Sequence, residues 1–359
     1  MNELTQQACE LLEHLIAIPS ISREETAAAD FLYSCMQQWG LQPQRKGNNV
    51  WAVSPHYDEK RPTLLLNAHI DTVKPVASWT KDPFTPQWEG DQLFGLGAND
   101  CGGGLVSLLT VFRLQAEDYR LQTTDYRLKT DDYNLVFLAS CEEEVSGKSG
   151  IEMVLPLLPK IDVAIVGEPT GMQPAVAEKG LMVIDGYAHG VSGHAARNEG
   201  VNAIYEALDD LVWLRDYRFE KVSQLLGPTK MTVTVIEAGT QHNVVPDSLH
   251  FIIDVRSNEN YRNEDIYDFL CKNMKKCELK ARSFRLHSSA ISIEHPLIKK
   301  CVAMGLKPFG SPTLSDQALM SFPSFKLGPG ESSRSHSANE YIRRSEIAAA
   351  IDTYLKLLS

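Results

Sequence analysis

The chain predicts an α/β fold, a mostly parallel sheet with flanking helices, interrupted by an inserted α+β unit. Three observations lead there. Up to about residue 170, helical periodicity alternates with short buried-strand signals, as an α/β layer requires. From 174 to 287 the order changes to β-α-β-β-α-β, the split ferredoxin-like pattern. The length of 359 residues suits about two domains. The expected division is a discontinuous first domain, 1–173 and 288–359, and a second over 174–287.

Residues 3–18 carry Leu4, Ala8, Leu11, Leu12, Leu15 and Ile16 on one broad apolar stripe, which predicts an amphipathic helix. Pro19, Ser20 and Ser22 end it, and a second helix opens near Arg23 and runs to about Gly40. Strand signals follow at 63–68, 135–140 and 162–167, and each runs into polar residues: His69 and Asp71, the run 142–144, and Glu168. In the insertion, strands are expected near 181–189, 230–238, 249–256 and 278–286, with helices near 202–217 and 264–277. Residues 296–359 return to the first domain, where a strand signal at 325–330 leads into His336. One segment resists this scheme. Residues 118–124 (Asp-Tyr-Arg-Leu-Gln-Thr-Thr) repeat almost unchanged at 125–131 and begin again at Asp132. Two copies rich in Thr and Asp are too few for a coiled coil, so the repeat reads as an expanded surface connection between helix and strand.

The net charge of −11 disfavours a general nucleic-acid binder. No apolar run approaches the ~18 residues of a membrane span, and residues 1–7 lack the basic and apolar regions of a secretory leader. Seven cysteines, an odd number without a Cys-x-x-Cys pair, fit reduced thiols. The expectation is a cytoplasmic enzyme.

In an open parallel sheet, ligands collect outside the carboxyl ends of the strands. The strand ends here would bring together His69, Asp71, the glutamates at 142–144, Glu168 and His336, with Asp100 delivered by the glycine-broken turn 95–100. Each signal alone is ordinary, since polar residues belong in loops. Together, two histidines and several carboxylates suit a two-metal hydrolytic site. Gly95, Gly97, Gly102, Gly103 and Gly104 mark backbone that bends sharply or approaches something closely. A dinucleotide reading of the turn fails on charge, because the third glycine of Gly-x-Gly-x-x-Gly is Asp100. Cys101 and Cys141 adjoin the site in sequence and read as buried free thiols, with soft-metal ligation as the alternative.

Several segments, in order, resemble those of the M20-type metallo-amidohydrolases, which include acetylornithine deacetylase, succinyl-diaminopimelate desuccinylase, aminoacylases and di- and tripeptidases. They are 67–71 (Asn-Ala-His-Ile-Asp), 95–100, 141–145 (Cys-Glu-Glu-Glu-Val), 167–170 (Gly-Glu-Pro-Thr), 193–195 (Gly-His-Ala), 241–247 and 336–341. The resemblance implies a pair of zinc ions, with Co²⁺ or Mn²⁺ as possible substitutes. One ion would take His69, Asp100 and Glu168; the other Asp100, Glu144 and His336, with Asp100 bridging. Glu143 would be the general base, and Asp71 would hold His69 in its metal-binding tautomer. A frame one residue earlier would make Glu142 the base and Glu143 the ligand; the positions of Val145 and Gly147 favour the later frame. The chain departs from the family in having Glu142 where Asp is usual and Gly102 where Lys or Asn is frequent.

His194 resembles the histidine that assists the oxyanion, often from a neighbouring subunit, and the insertion commonly supplies the dimer interface. A homodimer through 174–287 is therefore expected. Asn243 and Arg256 resemble positions that grip a substrate carboxylate, which arginine can do bidentately; Ser315 and Gly330 resemble other substrate-facing loops. Compact length and the 167–170 segment look closest to acetylornithine deacetylase. The expected activity is removal of an acetyl or succinyl group from N-acyl-L-ornithine in arginine biosynthesis. The alternatives are a di- or tripeptidase, a succinyl-diaminopimelate desuccinylase, and, from another class, a catalytically silent metal-binding dimerisation protein.

Overall fold

A computed structural model describes residues 3–55, 57–121 and 132–359, with side chains described up to 116 in the helix that ends at 121. Residues 122–131, which hold most of the repeat, lie outside the described residues. The chain divides into two compact units, Met1–Val176 with Ile291–Phe309 and Ser315–Ser359, and Ala177–Ala290 with Gly310–Leu314.

The first unit opens with helices α1 (Glu3–Ile16) and α2 (Thr26–Gln38), then strands β1 (Gln44–Lys46), β2 (Asn49–Val53) and β3 (Thr63–His69). A small hairpin, β4 (Gln87–Glu89) and β5 (Gln92–Phe94), precedes α3 (Gly103–Leu121). Strand β6 (Asn134–Ser140), the short helix α4 (Ile151–Val154), β7 (Val163–Val166) and β8 (Ala175–Glu178) follow. Strand β3 pairs in parallel with β6 on one side and β7 on the other. The chain therefore leaves β3 in one direction and later returns past it in the other, which makes the carboxyl end of β3 a switch point where a crevice opens.

Every residue of β3, β6 and β7 is buried, yet the period of two survives inside the core. Leu64, Leu66 and Ala68 face one apolar cluster, with α1, α3 and the C-terminal helix; Leu65 faces a second, with Val136, Ile151 and Val154. Both faces are covered, so these strands read as continuous apolar runs. Gly104, in the first turn of α3, passes so close to the end of β7 that a Cβ there would lie 1.7 Å from the carbonyl oxygen of Gly167.

The second unit holds β9 (Met182–His189), α5 (Ala203–Asp216), β10 (Lys230–Ala238), β11 (Ser248–Arg256), α6 (Asn263–Asn273), β12 (Glu278–Ala281) and β13 (Ser289–Ala290). Its main sheet runs β10-β11-β9-β12 and is antiparallel throughout, giving the expected α+β unit. Helices α5 and α6 cover one face, packing Ala203, Ala207, Leu214, Ile266 and Leu270 on Met182, Ile184, Phe251 and Ile253. Helix α6 stops four residues before the expected Cys277. The amides of Lys275, Lys276 and Cys277 donate instead to the Asp210 carboxylate at 2.8–3.1 Å, which pulls the chain out of the helix. Strand β12 is likewise shorter than the expected 278–286.

The return to the first unit adds α7 (Pro296–Ala303), β15 (Ser324–Lys326), β16 (Tyr341–Arg343) and α8 (Arg344–Leu358), while β14 (Phe309–Ser311) spans the boundary at Phe309 and Gly310. Strand β15 extends the parallel set beside β7, and β16 pairs with β5. Among the described residues, no helix is long and apolar enough to cross a membrane.

Candidate metal centre

His69 is the last residue of β3 and is 2% exposed. Its Nδ1 lies 2.8 Å from the backbone oxygen of Asp71 and 3.5 Å from that residue's Oδ1. The carbonyl, more than the carboxylate, orients the ring. The Asp71 carboxylate is engaged elsewhere: it accepts from the amides of Glu143 and Glu144 at 3.0 and 3.1 Å and from the Ser22 hydroxyl at 2.7 Å. One buried carboxylate thus fixes the tight turn Glu143–Val145 against the end of β3.

The far side of the imidazole faces carboxylates. His69 Nε2 is 3.2 Å from Asp100 Oδ1, 3.7 Å from Glu168 Oε1 and 4.0 Å from Glu143 Oε2. The other oxygen of Asp100, Oδ2, lies 3.7 Å from His336 Nε2, which is 2.9 Å from Glu144 Oε2. Asp100 therefore directs one oxygen to each histidine. Glu142 turns away: its backbone is left-handed (φ 55°), its amide donates to Glu25 Oε1 at 3.2 Å, and its carboxylate accepts from Ser149 N at 3.4 Å.

Asp100 sits in the turn Ala98–Gly102, entered through Gly97 at φ +75°, and the Asp100–Cys101 peptide is cis. The turn is held from a distance in sequence. Glu340, 2% exposed, accepts from the amides of Asn99 (2.8 Å), Asp100 (2.9 Å) and Gly97 (3.2 Å). Asn99 in turn donates to the Glu331 carbonyl and accepts from its amide, both at 3.1 Å. The loop that carries His336 and the turn that carries Asp100 are thereby stitched together.

Burial and the Asp100 charge push the Glu168 carboxyl up to about 8. Burial, then Glu168, holds Glu143 well above the usual carboxylate range. The Glu144 carboxylate beside it lifts His336 to about 9. Glu168 Oε1 is buried and accepts no hydrogen bond. Crowded carboxylates and an orphaned oxygen are what a cation would satisfy. The ligand atoms of His69, Asp100 and Glu144 lie within 4.8 Å of one another, and so do those of His69, Cys101 and Glu168. The donor set of imidazole and carboxylate suits a borderline divalent metal.

Of the other residues singled out in the sequence, Ser315 is 2% exposed and its hydroxyl accepts from Gln317 N, capping a turn. Gly330, at φ +81°, packs a vanishing side chain against Asn99, where a Cβ would lie 2.2 Å from Oδ1. In the second unit, His194 and Asn243 are exposed on adjoining strands of backbone, with Ala195 N donating to Asn243 O at 3.0 Å. Arg256 is clamped by Asp254 on its own strand at 2.8 and 3.1 Å. Sequence reasoning gave no role to Glu340 or Glu25, while Asp316 belongs with Ser315 to a segment that resembles a substrate-facing loop. Asp316 is 4% exposed, accepts from the Ser140 hydroxyl at 2.6 Å and is raised by burial to about 6. Glu340 lies within the segment 336–341 and Glu25 at the start of α2, and no local pattern in the sequence points to the partners of either.

A switch-point cluster of two histidines and several carboxylates on a doubly covered sheet defines a hydrolase of the metal-dependent class. Residues 65–359 match the model of peptidase family M20/M25/M40, and the chain belongs to that family. It is 26% identical over 362 residues to a peptidase M20 domain-containing protein of Schizosaccharomyces pombe, covering 97% of this chain and 83% of that one. It is 30% identical over 278 residues to a succinyl-diaminopimelate desuccinylase of Stenotrophomonas maltophilia, covering 73% and 70%. The fold is shared with a tripeptidase from Staphylococcus aureus (TM-score 0.75, 19% identity, 99% and 97% covered). It is also shared with a dinuclear metal binding peptidase of the M20 family from Bacillus subtilis (TM-score 0.73, 15% identity, 99% and 96% covered).

Proposed function

We propose that this protein hydrolyses a linear amide, removing an acetyl or succinyl group from an N-acyl amino acid, N-acyl-L-ornithine, and so releasing ornithine for arginine synthesis. The observation that carries the hydrolytic reading is Asp100, whose two oxygens face different histidines. Such a carboxylate can bridge two cations. His69, Asp100 and Glu168 would hold one zinc ion and Asp100, Glu144 and His336 the other, with cobalt or manganese as substitutes. Bound there, the metals would supply a water of pKa near ~7 and a polarised carbonyl.

Glu143 is the general base. Its Oε2 lies 4.0 Å from His69 Nε2, and its environment raises its proton affinity, which suits a group that must accept a proton and give it up again. It takes the proton of the attacking water and delivers it to the leaving nitrogen as the C–N bond breaks. Asp71 fixes the base by holding the amides of Glu143 and Glu144. His194 donates to the oxyanion, and Asn243, Arg256, Ser315 and Gly330 serve the substrate; Arg256 must exchange Asp254 for a substrate carboxylate to do so. The second unit pairs with a second copy of the chain. Tyr205, Leu208 and Val212 are exposed on α5, and β10 is an edge strand.

The acyl-amino-acid substrate is supported by relatives named as succinyl-diaminopimelate desuccinylases, and ornithine by the 167–170 segment. Peptide substrates form the second reading, favoured by the tripeptidase and the aminopeptidase among the solved structures. Amine release from N-acetyl-ornithine, N-succinyl-ornithine, N-succinyl-diaminopimelate and a dipeptide panel separates them, assayed with metal stripped and then restored. Metal-restored turnover of an acyl-ornithine is expected. Cleavage of dipeptides alone moves the protein to the peptidase branch.

A further inference from the structure

Cys101 follows Asp100 directly and is 1% exposed. Its Sγ accepts from the His69 amide at 3.2 Å and lies 3.5 Å from the His69 carbonyl oxygen. Sγ, a His69 ring nitrogen and a Glu168 carboxylate oxygen are all within 4.8 Å of one another. Glu168 contributes the second observation, a buried Oε1 with no hydrogen-bond partner, 3.7 Å from His69 Nε2. The other thiol beside the site behaves differently: Cys141 turns to the Ser149 carbonyl at 3.4 Å.

Bonds of ~2.3 Å to sulfur and ~2.0–2.2 Å to nitrogen or oxygen place the donors around a tetrahedral zinc ion ~3.5 Å apart. The three groups lie within 4.8 Å of one another, so ligation draws them together by up to ~1 Å through side-chain adjustment. We propose that Cys101 supplies a thiolate to the cation held by His69 and Glu168, and that this donor selects a thiophilic metal, Zn²⁺ or Cd²⁺, over Mn²⁺. The inference rests on the metal reading of His69 and Glu168 given above. A metal–sulfur bond forms, the S–H bond breaks, and the proton leaves to solvent; nothing is oxidised. Soft thiolate is disfavoured by manganese and favoured by zinc and its heavier congener.

The test uses the full-length protein, stripped and reloaded with Co²⁺, with bound metal counted by elemental analysis. The wild type is expected to show a near-ultraviolet sulfur-to-cobalt charge-transfer band that Cys101→Ser lacks. In competition, the preference for Cd²⁺ over Mn²⁺ is expected to fall by at least ~10-fold in Cys101→Ser, equivalent to ~1.4 kcal/mol. The wild-type spectrum decides even if the variant does not fold: cobalt bound without the band overturns the proposal and leaves the hydrolase reading standing. A band that persists in Cys101→Ser also overturns it, since the sulfur is then another residue's. If the wild type retains no metal, the proposal and the hydrolase reading fall together.

Discussion

Glu168 in the first unit and Asp210 in the second are both closed off from solvent, 9% and 2% exposed, and their surroundings treat them in opposite ways. Burial pushes Asp210 up, but three backbone amides from 275–277 more than offset it and hold the carboxyl below its ordinary range. Glu168 has a neighbouring carboxylate instead, and its Oε1 has no donor. A buried carboxylate with its own donors holds the fold together. One without them is held by the rest of the fold against its own solvation, and its missing partner has to come from outside.

The contrast breaks most visibly at the base. Glu143→Ala is expected to cut turnover by ~10²–10⁴-fold with both metals retained, whereas Glu144→Ala loses one metal. Metal analysis beside kcat checks this. If Glu143→Ala is the variant that loses metal, the base and the ligand have been assigned in the wrong frame.

The metal-free protein sharpens the comparison through pH. Glu168 is raised from 4.5 to about 8, so its proton is bound more tightly in the folded than in the unfolded chain. The stability this supplies is complete below about 4.5 and is lost as pH rises through about 8. The melting temperature of metal-free wild type should fall across that window, and Glu168→Gln should flatten the fall. Saturating metal should remove it too, adding ~2.7 kcal/mol at 100 times Kd. An equally steep profile in Glu168→Gln would show that another group carries the dependence.

Asp210 should give the smallest effect, of opposite sign. Asp210→Asn is expected to cost ~1–3 kcal/mol at neutral pH in urea denaturation. Its carboxyl is depressed from 3.8, so the native advantage is present above that value and disappears as pH falls below it. A variant as stable as wild type at pH 7 would mean that the 275–277 turn finds other acceptors.

Most of the fold was legible because its strands are either buried on both faces or strictly alternating. The apolar run expected at 135–140 is β6 but for one residue, and 230–238 coincides with β10. Helix α6 was overestimated because the residue that ends it, Asp210, lies on α5 and carries no local signal. The ligand candidates were legible as polar residues at strand ends, and the structure brings His69, Asp100, Glu143, Glu144, Glu168 and His336 together. The role of Glu340 was not, because a buried carboxylate whose partners are distant backbone amides looks, in sequence, like any loop acid. Cys101 reads in sequence as a buried thiol, with soft-metal ligation as the alternative, and the structure places it beside His69 and Glu168.

Glu340 reaches across 240 residues to the Asp100 amide, and His336 across 192 to Glu144. Contacts of such separation form late, since the intervening chain must be ordered before they return anything. The parallel strands can assemble from the amino-terminal half, but no fragment that stops short of Glu340 has an anchored Asp100 turn. The cluster around Asp100 is thus completed only when residues 336–340 are in place.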